Sequence, residues 1–151
     1  MIEVKIAFCD HYDDRFELPH YETLGSAGMD IRACFLDKAP LEIAPFSRVL
    51  IPTGIKFAVP EGFEMQIRPR SGLSLKTGLM VVNSPGTIDS DYRGELKIII
   101  GNLGQNSEII KHGDRIAQIL FSPVIKGHLE VVSELNETSR GSGGFGSTGL
   151  K

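Results

Sequence analysis

Phe63-Glu64-Met65-Gln66-Ile67-Arg68 places an apolar side chain at every second position and a polar one between. Period two is the mark of a strand with one buried and one solvated face. The pattern also opens the chain, where Ile2, Val4 and Ile6 alternate with Glu3 and Lys5. Further β-type runs cover residues 48–51, 55–59, 96–100, 115–121 and 129–132. Turn signals divide them: Ala44-Pro45, Pro52-Thr53-Gly54, Pro60-Glu61-Gly62, Gly101-Asn102 and His112-Gly113-Asp114. Only residues 72–77 read as a helical turn. Many short strands at this spacing predict an all-β barrel or sandwich. The expected organisation is one β domain over residues 1–135 and a flexible glycine-rich segment over 136–151.

A chain of 151 residues suits one domain with its own core. The formal charge of −3 argues against a nucleic-acid binder, which would carry a basic excess. A small phosphorylated ligand needs only a few local Arg or Lys. Two cysteines, Cys9 and Cys34, are too few for a disulfide scaffold. No basic segment followed by an apolar one opens the sequence, and no apolar run reaches the length of a membrane span. The expectation is a reducing, cytoplasmic setting without membrane contact.

Four segments carry more polarity than strands and turns require. Gly25-Ser26-Ala27-Gly28-Met29-Asp30-Ile31-Arg32-Ala33 runs from a turn into a strand bearing Asp30 and Arg32; a surface turn with solvated charges also explains it. In Arg68-Pro69-Arg70-Ser71-Gly72-Leu73, Arg70 and Ser71 offer a charge and a hydroxyl to phosphate oxygens, and Gly72 permits close backbone approach. Ser71 is equally suited to cap a helix.

The densest stretch is Asn83-Ser84-Pro85-Gly86-Thr87-Ile88-Asp89-Ser90-Asp91-Tyr92-Arg93-Gly94-Glu95-Leu96. Asp89 beside apolar Ile88 suggests a partly desolvated carboxylate, a candidate general base. In an extended segment Asp89 and Asp91 share a face. Asn83 has the donor and acceptor needed to read a base edge, and Tyr92 a ring to pack on a sugar. An acidic hairpin with a structural tyrosine is the plainer alternative. In Gly113-Asp114-Arg115-Ile116-Ala117-Gln118, Gln118 faces away from its apolar neighbours, as an ordinary outward residue also would.

The end of the chain, Arg140-Gly141-Ser142-Gly143-Gly144-Phe145-Gly146-Ser147-Thr148-Gly149, cannot build a core. One guanidinium, one ring and many free N–H groups fit a lid over a ligand with a flat base and phosphates. A frayed terminus fits the composition too. Zinc-spaced Cys/His clusters, a Ser-His-Asp motif and the Gly-Lys-Ser/Thr end of a Walker loop do not occur in the sequence.

These five segments, in this order from Ser26 to Gly149, resemble the five motifs of the trimeric dUTPases. The resemblance implies a jelly-roll-like, distorted β-barrel of the β-clip type, assembled as a homotrimer with active sites at subunit interfaces. It implies Mg²⁺-assisted hydrolysis of dUTP to dUMP and pyrophosphate by water attack at the α-phosphate. That activity limits uracil incorporation into DNA and supplies dUMP for dTMP synthesis.

By the same resemblance, Asp89 is the general base and Asp30 holds the water shell of the Mg²⁺–triphosphate. Arg70, Ser71, Gly72 and Gln118 contact phosphates. Asn83 faces uracil and Tyr92 packs on deoxyribose, leaving no room for a 2′-hydroxyl. Thr87, Ile88 and the backbone of Lys97 fall at ligand-contacting positions. Arg140 meets the γ-phosphate, Phe145 covers the base, and Gly146 is a further substrate-binding position. A dCTP deaminase on the same scaffold is the alternative enzyme, and a non-catalytic nucleotide-binding β module the alternative of another class.

Overall fold

A computed structural model describes residues 1–144 of the chain. Ten strands and one short helix follow in order: β1 (Lys5–Phe8), β2 (Met29–Arg32), β3 (Leu41–Ile43), β4 (Arg48–Ala58), β5 (Phe63–Arg68), α1 (Ser71–Lys76), β6 (Leu79–Val81), β7 (Gly86–Ile88), β8 (Glu95–Asn102), β9 (Glu108–Ile110) and β10 (Arg115–Pro123). One sheet has the order β1-β4-β8-β6, a second β2-β10-β5-β7, and β3 pairs with β9. Every pairing is antiparallel. The all-β expectation holds, and the fold is the jelly-roll-like barrel.

Alternation builds the core between the two larger sheets. Met65 and Ile67 of β5 point inward, as do Leu96, Ile98 and Ile100 of β8 and Ile116 and Ile119 of β10. Each fully buried side chain of this size contributes about 1.5–3 kcal/mol. At the end of β8, buried Asn102 donates through Nδ2 to Ile43 O (2.9 Å) and Asn106 O (2.8 Å) and accepts from Gly104 N–H (2.8 Å). Such full pairing is what burial of an amide demands.

The structure corrects several boundaries. Pro52-Thr53-Gly54 is no turn between two strands but an irregularity inside β4. Pro52 lies opposite Lys97 and Lys56 opposite Glu95, so four steps on β4 pass two on β8. Gly54 absorbs the excess with φ +72, and a Cβ there would meet Tyr12 at 3.1 Å. Gly101-Asn102 continues β8 instead of ending it. The first strand spans Lys5–Phe8, later than the alternation at Ile2 suggested. Residues 129–132 form no strand: among the described residues they pair with no edge, and Leu129 (93%) and Val131 (99%) are exposed.

A buried carboxylate ties three loops together. Asp13 accepts from Arg15 Nε (2.8 Å) and Nη2 (2.6 Å), lies 3.1 Å from Lys38 Nζ and is bonded by His112 Nε2 at 3.0 Å. The Phe35 N–H donates to His112 Nδ1 (3.0 Å), so the ring proton sits on Nε2. The Arg15 bonds, then that of His112, hold the Asp13 carboxyl well below the usual carboxylate range.

Candidate active site

The β2-β10-β5-β7 sheet positions most of the expected residues. Gln118 in β10 lies opposite Asp30 of β2 on one side and Arg68 of β5 on the other. Its Nε2 donates to Pro69 O at 2.9 Å, which fixes the backbone just before Arg70. Gly28 makes room for this amide, since a Cβ there would stand 2.5 Å from Gln118 Oε1.

Arg70 Nε donates to Asp30 Oδ1 at 2.7 Å, and Arg115 Nη1 lies 3.1 Å from Asp30 Oδ2. Arg70 Nη1 also reaches Arg115 O at 3.2 Å. Two half-exposed guanidiniums are thereby held side by side by one carboxylate, a cationic cradle suited to phosphate oxygens. Sequence reasoning assigned Arg115 no role. In a regular strand Arg115 and Gln118 would face opposite ways, but a register shift between Arg115 and Ala117 turns Arg115 toward Asp30. An ionised carboxylate has about four lone-pair sites. With one guanidinium on each oxygen, Asp30 fits Mg²⁺ through bound water, and direct ligation would cost an arginine pair.

Ser71 opens α1 as its first residue; Arg70 takes the capping position in extended conformation, with no side-chain cap bond. The capping alternative for Ser71 is therefore not realised. Gly72 has open space around its Cα.

The other group of residues lies on the hairpin from β6 through β7 to β8. Asn83 sits in the β6–β7 turn, its Nδ2 3.2 Å from where a Cβ of Gly86 would lie. Thr87 and Ile88 pair with Gln66 and Met65. After Ile88 the chain turns, with Tyr92 N–H bonding Asp89 O at 3.2 Å. Asp89 and Asp91 are thus turn residues rather than alternating strand positions, and Asp89 is exposed in the single chain, not desolvated. Tyr92 donates to Glu95 O at 2.9 Å, and its ring lies over Gly94. Lys97 is exposed opposite Pro52, its Nζ 3.6 Å from Glu95 Oε2.

The two groups do not meet at Asp89. One register step beyond Ile88–Met65 puts Asp89 beside Glu64, while Arg70 lies beyond the other end of β5. Six residues of extended chain separate their backbones by on the order of 20 Å. In the tail, Arg140 Nε donates locally to Gly143 O at 2.8 Å. Phe145, the expected base cover, and Gly146, expected to bind substrate, lie outside the described residues.

The dUTPase family profile matches residues 14–149. The chain belongs to the dUTPase family. The deoxyuridine 5'-triphosphate nucleotidohydrolase of Roseobacter denitrificans is 52% identical over 149 residues, covering 99% of this chain and 97% of that protein. Its counterpart from Rhizobium johnstonii is 53% identical over 134 residues, covering 89% and 86%. Among solved structures, a variant of the Staphylococcus bacteriophage 80alpha dUTPase with dUpNHpp superposes with a TM-score of 0.81 at 25% identity, covering 99% of this chain and 100% of that one.

Proposed function

We propose that this chain hydrolyses dUTP to dUMP and pyrophosphate. The observation that carries the reading is the match along nearly the whole chain to relatives named for that activity. The phage enzyme with dUpNHpp supports the substrate class.

In this reading Asp89 takes a proton from the water that attacks the α-phosphorus, and the exposed turn around it leaves space for substrate. Arg70, Ser71, Gly72 and Gln118 hold the phosphates, with Asp30 keeping Arg70 in place and accepting from Mg²⁺-bound water. Mg²⁺ when bound offsets charge that develops on the leaving pyrophosphate. Asn83 reads the uracil edge, Tyr92 packs on the deoxyribose, and Thr87, Ile88 and the Lys97 backbone line the same side. Arg140, with Phe145 and Gly146, supplies the lid. Base selection follows from hydrogen bonding: cytosine reverses the donor–acceptor pattern of uracil and leaves site groups unpaired, which can discriminate by ~10⁴-fold or more.

The chain acts in this proposal as a homotrimer. The separation of Asp89 from Arg70 supports a site completed by a neighbouring copy. So does the run after β10, where Ile125 (96%), Leu129 and Val131 are exposed as if for burial against another chain. The lid segment 136–151 is proposed as a unit apart from the β domain over 1–135. A cytoplasmic setting agrees with two free thiols, Cys9 and Cys34. Among the described residues no helix is long and apolar enough to cross a membrane.

Incubation with dUTP or dCTP and Mg²⁺ tests the activity. Pyrophosphate and dUMP from dUTP alone are expected. Ammonia from dCTP would replace this reading with the deaminase, and neither product would leave only nucleotide binding.

A further inference from the structure

We propose that Cys9, His11 and Glu95 form a binding site for one Zn²⁺ ion, separate from the Mg²⁺–triphosphate position. Their ligand atoms all lie within 4.8 Å of one another. Thiolate, imidazole and carboxylate together match a borderline-soft cation and not Mg²⁺, which prefers oxygen alone. Three protein ligands leave one tetrahedral position for water.

Two of the ligands are already held in place by Gly54. Cys9 N–H donates to Gly54 O at 2.8 Å, and Gly54 N–H donates to Glu95 Oε1 at 2.8 Å. His11 Nε2 is 3.0 Å from the same Glu95 oxygen, and the His11 carbonyl accepts from Cys34 Sγ at 3.2 Å. The site is partly shielded, with side-chain exposure of 20% for His11 and 12% for Glu95. Tetrahedral zinc shells have ligand–ligand edges of roughly 3.3–3.8 Å, so the His11–Glu95 pair at 3.0 Å opens slightly and the Cys9 sulfur, within 4.8 Å of both, closes in.

Burial and the nearby Glu95 carboxylate push the Cys9 thiol up. On binding, the thiol proton leaves to solvent and the sulfur lone pair goes to the cation. The ion would replace the direct His11–Glu95 bond of 3.0 Å. Glu95 also accepts the Tyr92 hydroxyl through its carbonyl, so occupancy bears on the hairpin that carries Asp89.

Co²⁺ titration of the full chain in excess Mg²⁺ is the test, read by thiolate-to-cobalt absorption in the near ultraviolet. One equivalent is expected to give the band, Zn²⁺ to abolish it and Mg²⁺ to leave it. Cys9→Ser should remove it, His11→Ala should weaken binding at least tenfold, and Cys34→Ala should keep it. Independently of any variant, Zn²⁺ should protect Cys9 of the unaltered chain from alkylation by iodoacetamide. A missing band, a band that survives Cys9→Ser, displacement by Mg²⁺, or equal alkylation with and without Zn²⁺ would overturn the site.

Discussion

Asp89 has no structural task that explains its position. Among the described residues its exposed side chain forms no hydrogen bond or ion pair with the cradle, and its backbone carbonyl closes the turn with Tyr92. Asp89→Asn should therefore fold normally and bind a non-hydrolysable dUTP analogue within about threefold of the unaltered chain. Its kcat should fall by ~10²–10⁴-fold, the usual share of a positioned base. Near-normal turnover would remove Asp89 from the chemistry. Asp13 is the opposite case, a carboxylate with structural work and no part in the site. Its pKa is depressed in the fold by Arg15 and then His112. Its contribution is therefore complete above the unfolded value of about 3.9 and is lost as pH falls through the folded pKa. The stability gap between the unaltered chain and Asp13→Asn, from urea unfolding, should stay level above about pH 5 and shrink below about pH 4. A gap independent of pH would contradict the network.

Among the elements, alternation made β5, β8 and β10 legible, because one face of each meets the core and the other meets solvent. Two things hid from it. Irregular register inside a strand looks like a turn in sequence, as at Pro52-Thr53-Gly54. It also reverses faces, so Arg115 could not be placed beside Asp30 from spacing alone. By residue type Arg70 is legible as suited to phosphate and Asn83 as suited to a base edge, whereas Asp30 and Gln118 read equally well as outward polar residues. The carboxylate that orients the arginines required the β2–β10 pairing. Gly54 is the element-scale test. Gly54→Ala imposes a left-handed φ on a side chain and presses a Cβ on Tyr12, so stability should fall by about 1–3 kcal/mol in thermal or urea unfolding. An unchanged transition would mean that the irregularity in β4 tolerates an ordinary residue.

At the scale of the whole molecule, a single chain holds the hairpin with Asp89 and the cradle with Arg70 at opposite ends of β5. Residues 129–132 belong to the same question. They read as a strand by composition and find no edge among the described residues, which is how a segment meant for a neighbour would look in one copy. Sequence could show that the parts exist but not which copy they serve, because spacing along one chain carries no information about assembly. The most direct measurement mixes two crippled chains. Asp89→Asn and Arg70→Ala, each close to inactive alone, are co-expressed with different tags, and the hetero-oligomers are purified and assayed for pyrophosphate release from dUTP. If each site draws Asp89 from one copy and Arg70 from another, every purified mixed trimer holds one intact site of its three and recovers about a third of the unaltered activity. If the hetero-oligomers form and remain as inactive as their parents, the shared dUTPase site is contradicted.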